Sequence, residues 1–279
     1  MHRYVITDVF TDTPFEGNPL AVFPDGAAVP AGHMQRIARE MNLSETVFVL
    51  PAEAGGDARV RIFTPFTELP FAGHPTLGTA MLLGESNPAE EIRLETGAGE
   101  VAVTLQRAGG RVVSGRMRQP IPTWEPYDRA GELLAALGVE ASVLPVLAYR
   151  NGPRFAYVTL DREQALAALQ PDLRALARLP DVGASCIAGE GRRWKTRMFA
   201  PAFGVAEDPA TGSAAGPLAV HLARHGRVAF GEEIEISQGV EVGRPSTLLA
   251  RAVGEGDRID LVEVAGSAVV VARGELLHP

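Results

Sequence analysis

A chain of 279 residues is longer than one ordinary core requires and short for three, so two domains of roughly 100 to 150 residues are expected. With 46% hydrophobic and 22% charged residues and a formal charge of −8, the composition is that of a globular chain and opposes binding to a polyanion. No window approaches the roughly 18 unbroken apolar residues of a membrane helix, and the single cysteine, Cys186, excludes an intramolecular disulfide and any pair of catalytic thiols.

The first segment, "MHRYVITDVF", lacks the basic region and apolar core of a leader peptide and reads as the first strand of a cytoplasmic protein. "RYVITDVF", "LAVFPD", "TVFVLP" and "ARVRIFTP" are short, rich in β-branched and aromatic residues, and bounded by Gly, Pro, Asn or Asp, which predicts strands. Between them, "AGHMQRIAREM" sets Met34, Ile37, Ala38 and Met41 at i, i+3, i+4 and i+7, an amphipathic helix ending at Asn42. Glu45 is then expected in a short connector. "HPTLGTAMLLGE" leaves little polar face around Leu77, Ala80, Met81, Leu82 and Leu83, so it predicts a central helix enclosed by other structure.

Three prolines in eleven residues mark "RQPIPTWEPYD" (Arg118 to Asp128) as the boundary between a domain over 1–118 and another over 128–266. Beyond it, "ELLAALG" and "DREQALAALQPDLRALARL" predict surface helices, the second with Asp161 as its N-cap. "RFAYVTL", "RWKTRMFAP", "STLLARAV" and "RIDLVEV" predict strands, and "SAVVVARGELL" could close either sheet. The basic run "GRRWKTR" (Gly191 to Arg197) reads as a solvated start of a strand rather than a nucleic-acid contact.

The two halves share more than their order of elements. "RIFTPFTELPFAGHPTLGTA" and "RMFAPAFGVAEDPATGSAAG" both give Arg-x-Phe-x-Pro, a loop, a Gly followed by His or Ser, and an apolar helix, with eight steps from Pro65 to Gly73 and eleven from Pro201 to Gly212. Such turns at helix N-termini offer unpaired backbone N–H groups and the positive end of the helix dipole to an anion. Gly73 and Gly212 clear the approach, and Ser213 can cap its helix or donate to a ligand. The pattern suits a small carboxylate held between two facing turns. Glu45, beside apolar sequence, suits a general base whose proton affinity is set by burial. His74 adjoins the first turn and Asp208 lies four residues before Gly212, while Glu207 has no evident part. His221 and His225 stand one helical turn apart but lack a third ligand, so no metal is expected. "GAGEV" precedes a strand rather than a helix and makes no dinucleotide site.

At these residues, and over "EGNPLAVF", "MQRIAREMNLSET", "ELPFAGHP", "QPIPTW", "EDPATGSAAGPLA", "HLARHG" and "QGVEVGRPS", the chain resembles the PhzF family, within the broader group of diaminopimelate epimerase and proline racemase. That resemblance implies an α+β fold of two similar domains, each a β-barrel-like sheet wrapped around a central helix. It also implies an active site in the interdomain cleft and a C-terminal strand, 267–279, that returns to the first domain. The broader group uses a cysteine before each Gly of the paired turns; here Ala72 and Thr211 stand there, so two-thiol racemisation is excluded. In its place the resemblance implies a single carboxylate base, Glu45, moving a proton on a small cyclic, carboxylate-bearing substrate, as an isomerase of phenazine biosynthesis. His74 and Asp208 would orient its polar groups, Gly73, Gly212 and Ser213 would seat the carboxylate, and Asn18 would complete the rim. No cofactor, a homodimer, and no nucleic-acid or membrane partner are implied. An isomerase or epimerase of another small amino or hydroxy acid, and a binding protein that has lost catalysis, remain as alternatives.

Overall fold

Both Arg-x-Phe-x-Pro segments run out of a strand towards a buried helix, and the same series of strand pairings surrounds each. The computed structural model describes residues 1–277, and the chain divides into two units, Met1–Arg118 with Ala265–Pro279, and Gln119–Val264. In the first unit, Asn18–Phe23 pairs antiparallel with His2–Val9 and parallel with Glu45–Leu50, which pairs antiparallel with Ala58–Phe63. Ala58–Phe63 runs parallel to Glu91–Thr96, whose antiparallel neighbour is Gly99–Ala108. In the second unit the series recurs. Arg154–Thr159 pairs antiparallel with Leu147–Arg150 and parallel with Gly183–Glu190, which pairs antiparallel with Arg193–Ala200. That strand is parallel to Glu233–Gln238, and Ser246–Glu255 follows antiparallel.

A parallel pair needs a crossover connection, and at the corresponding step of each series that crossover contains an apolar helix, Gly73–Gly84 or Gly212–Arg224. The first helix touches strands His2–Val9, Asn18–Phe23, Glu45–Leu50, Glu91–Thr96, Gly99–Ala108 and Arg111–Arg118, which explains a sequence with almost no polar side. Every residue from Gly73 to Met81 is buried, as is every residue from Gly212 to Ala223. Two helical glycines are there for close approach. A Cβ at Gly78 would lie 2.6 Å from Val9 Cγ2, and one at Gly216 would lie 2.3 Å from Gln119 Oε1. Each offsets its loss of about 1 kcal/mol in helix propensity relative to alanine by letting neighbouring side chains pack against the backbone.

The helix Ala31–Met41 ends on Asn42 in the left-handed conformation, its N–H returning to Ala38, and Ala268–Leu276 pairs antiparallel with His2–Val9 in the first unit. Other expectations need correction. The segment 161–179 is two short helices, Glu163–Ala167 and Leu173–Leu176, because Pro171 interrupts it. Asp172, not Asp161, is the capping acid, accepting from the N–H groups of Arg174 and Ala175 at 2.9 and 3.0 Å. The second unit begins at Gln119 rather than 128, since Thr123–Pro126 forms a strand paired with Leu147–Arg150. Within the basic run, Arg192 and Arg193 are exposed, but Lys195 pairs with Glu241 and Arg197 with Glu207 in largely buried surroundings. Among the described residues, no helix is long and apolar enough to cross a membrane.

Candidate active site

In the first unit Glu45 opens the strand Glu45–Leu50, not a connector, and pairs in parallel register with Leu20. Asn18, wholly buried, opens the neighbouring strand two residues before Leu20, so both polar side chains belong to the same end of that parallel pair. The other candidate, His74, is the second residue of the central helix. Its Nε2 lies 3.3 Å from Glu45 Oε2, with side-chain exposures of 4% for His74 and 15% for Glu45. Burial pushes the His74 imidazole down to about 3, leaving it neutral at physiological pH. The carboxylate therefore faces a dipole rather than a full cation, which would favour its ionised form and weaken it as a base. The helix N-cap is Ala72, which has no capping side chain, so Gly73 leads into a turn whose first N–H groups receive nothing from the N-cap side chain.

In the second unit, Val205–Asp208 pairs antiparallel with Arg193–Ala200, with Met198 opposite Asp208. Strand alternation sends Glu207 and Asp208 to opposite faces. Glu207, without a part in the sequence reading, is a structural anchor. Arg197 donates to both of its oxygens at 2.8 Å, and also to the carbonyls of Leu166, Ala167 and Leu169. Asp208 Oδ2 accepts the Thr211 hydroxyl at 2.5 Å. Thr211 is the N-cap of the second central helix, yet its side chain makes no capping bond. Gly212 and Ser213 follow as its first two residues, so Ser213 is not the cap. Two buried donors fix this helix start from below, Tyr157 to the Ala214 carbonyl at 2.6 Å and Gln119 to that of Gly212 at 2.8 Å.

The internal repeat extends further than its sequence motif. Arg61 is bidentate to Glu68, at 2.7 Å to each oxygen, with its guanidinium carbon 5.0 Å from the Phe63 ring centre; for Arg197, Glu207 and Phe199 the last distance is 4.9 Å. Each glutamate lies five residues before the glycine that opens its helix. The three-residue difference between the loops thus falls before the glutamate, a signal that was legible in the sequence. One feature is not repeated. Thr46 faces Phe63 and Ala184 faces Phe199, so the counterpart of Glu45 is Gly183, which has no side chain to act as a second base. Nor is there a thiol to replace it. Cys186 is fully buried, and burial pushes its pKa up. His221 is stacked on Tyr157, its pKa lowered to about 3 chiefly by burial. Among the described residues, no group of three His, Cys, Asp or Glu side chains could hold a metal ion.

Comparison with known proteins adds to this geometry. The model of a family described as phenazine biosynthesis-like protein, PhzC-PhzF, matches residues 7–274. The chain is 56% identical over 274 residues to the trans-2,3-dihydro-3-hydroxyanthranilate isomerase of Pseudomonas aeruginosa, covering 98% of this chain and 99% of that protein. It is 56% identical over 277 residues to the enzyme of the same name from Pseudomonas chlororaphis, covering 99% and 100%. Among solved structures, a phenazine biosynthesis protein of the PhzF family from Bacillus anthracis superposes with a TM-score of 0.86 at 26% identity, over 99% of each chain.

Proposed function

The chain belongs to the PhzC-PhzF family, and from that premise we propose that it is an isomerase converting trans-2,3-dihydro-3-hydroxyanthranilic acid to its ketone isomer, with Glu45 as the acid/base. Glu45 takes the proton from the carbon that bears the hydroxyl, the electron pair shifts through the diene, and the proton returns to the carboxylate-bearing carbon on the same face. The resulting enol tautomerises to the ketone. No atom is gained or lost, and one base suffices because both transfers use one face.

The observation that carries this reading is the asymmetry between the units, Glu45 against neutral His74 in one and Gly183 at the matching place in the other. His74 and Asp208 orient the hydroxyl and amino groups, and Asn18 completes the polar rim. Gly73, Gly212 and Ser213 seat the carboxylate on N–H groups that neither Ala72 nor Thr211 caps. The reading also takes the protein to be a cytoplasmic homodimer that works without a cofactor, which sedimentation and assay after exhaustive dialysis check.

Proton NMR with the dihydroanthranilate in deuterated buffer tests the assignment. The wild-type protein is expected to consume substrate with deuterium entering the product at the carboxylate-bearing carbon. Glu45→Gln, folded as judged by circular dichroism, should lose at least about a hundredfold in rate, the scale of a positioned general base. A folded Glu45→Gln protein within tenfold of wild type would remove the base. Inert wild-type protein would move the substrate to another small amino or hydroxy acid.

A further inference from the structure

We propose that Gln238 is a positioning residue for this reaction: its side-chain amide directs the Thr211 hydroxyl proton onto Asp208 and so holds that carboxylate for the substrate. The inference rests on the reading of Asp208 as a substrate partner. Gln238 ends the strand Glu233–Gln238 and is 3% exposed. Its Nε2 donates to the backbone carbonyl of Asp208 at 2.8 Å and to Thr211 Oγ1 at 3.0 Å. Its Oε1 accepts from Thr196 Oγ1 at 3.0 Å and from the Thr211 backbone N–H at 3.2 Å. Both donors and both acceptor sites of the amide are therefore in use.

This arrangement has only one sense. The Thr211 N–H can only donate and the Asp208 carbonyl can only accept, so a reversed amide would oppose donor to donor and acceptor to acceptor. Because Thr211 Oγ1 already receives a proton from Gln238, its own proton is left for Asp208 Oδ2, 2.5 Å away. Backbone polarity thus sets the amide, the amide sets the hydroxyl, and the hydroxyl holds the carboxylate. The chain allows this packing because residue 239 is glycine at φ +82°; a Cβ there would lie 2.5 Å from the Pro209 carbonyl oxygen and 2.2 Å from that of Arg244.

The test measures turnover of the dihydroanthranilate and thermal unfolding for Gln238→Met, Thr211→Val, Thr211→Ser, Asp208→Asn and the Asp208→Asn/Gln238→Met double variant. Gln238→Met keeps the length of the side chain and removes its hydrogen bonds; kcat/KM is expected to fall about ten- to a hundredfold, the cost of a misplaced polar group. Thr211→Val should show the same order of loss and Thr211→Ser should stay within about threefold of wild type, because the serine retains the hydroxyl. In the Asp208→Asn background, Gln238→Met should cost less than about threefold more, since residues acting through one group are non-additive. A merely structural role would give the same fold-loss in both backgrounds, and that result overturns the proposal. So does wild-type kcat/KM in Gln238→Met or Thr211→Val while Asp208→Asn is impaired. If Gln238→Met does not fold, Thr211→Val, which removes only the hydroxyl, is combined with Asp208→Asn to complete the same comparison. Full activity in Asp208→Asn, or no turnover by the wild type, defeats the underlying reading and the proposal with it.

Discussion

The two Arg–Glu pairs of the repeat share their geometry but not their burial, and a single substitution made in each separates the two. In Glu207→Gln the Arg197 guanidinium keeps its three backbone carbonyls and its place beside Phe199, but loses the counter-charge that accepts two 2.8 Å bonds. Side-chain exposures of 8% and 13% leave little water to compensate. Removing one partner of a buried ion pair costs about 3–5 kcal/mol, and at about 2–4 °C per kcal/mol for a domain of this size the melting temperature should fall by about 10 °C. The equivalent Glu68→Gln acts on a pair that is 28% and 43% exposed, where solvent screening limits the loss to about 1 kcal/mol or less. Both follow from urea and thermal unfolding monitored by circular dichroism. The double variant Arg197→Met/Glu207→Leu should recover only part of the loss: no buried charge is then left unpaired, but the carbonyls of Leu166, Ala167 and Leu169 lose their donor. Equal costs at positions 207 and 68, or a cost at 207 below about 1 kcal/mol, would refute the argument that burial rather than pair geometry sets the energy.

His74 and His221, each held near 3 against an ordinary value of 6.5, bind protons in the unfolded state before the folded one. Their stability contribution is therefore complete above pH 6.5 and is lost as pH falls towards 3. His221→Phe should flatten the slope of unfolding free energy between pH 4 and 6 by up to about one proton, ~1.4 kcal/mol per pH unit; an unchanged slope in urea titrations would contradict this. Tyr157→Phe deletes the buried donor to the Ala214 carbonyl and should destabilise by about 1–3 kcal/mol, read as a lower urea midpoint. Gly216→Ala sets a methyl group against Gln119 Oε1 and Val262 Cγ1; overpacking of about 1–3 kcal/mol should exceed the gain in helix propensity, and a raised melting temperature would disprove the close approach.

Most of the individual elements were legible along the chain because their signals are local. Alternation marked the strands, period 3.6 with Asn42 marked the first helix and its end, and near-continuous apolar character marked the helix after Gly73 as enclosed and the one after Gly212 as apolar. The helix over 161–179 failed for a local reason as well, since Pro171 and Asp172 outweighed an apolar periodicity spanning them.

The sequence by itself determined the internal repeat, the absence of thiols before the two helix-opening glycines, and a short list of candidate carboxylates with one candidate histidine, because these depend only on which residues are present and how far apart they stand. Tertiary structure decided which groups meet. Glu45 and His74 are 29 residues apart in sequence and 3.3 Å apart in space, through a strand-to-helix crossover whose register no local pattern encodes. Gln238 reaches Asp208 and Thr211 across 30 and 27 residues in the same way. Glu207 and Asp208 are chemically alike neighbours in the sequence, and only the pairing of their strand, which turns alternate side chains to opposite faces, makes one an anchor for Arg197 and sends the other to Thr211.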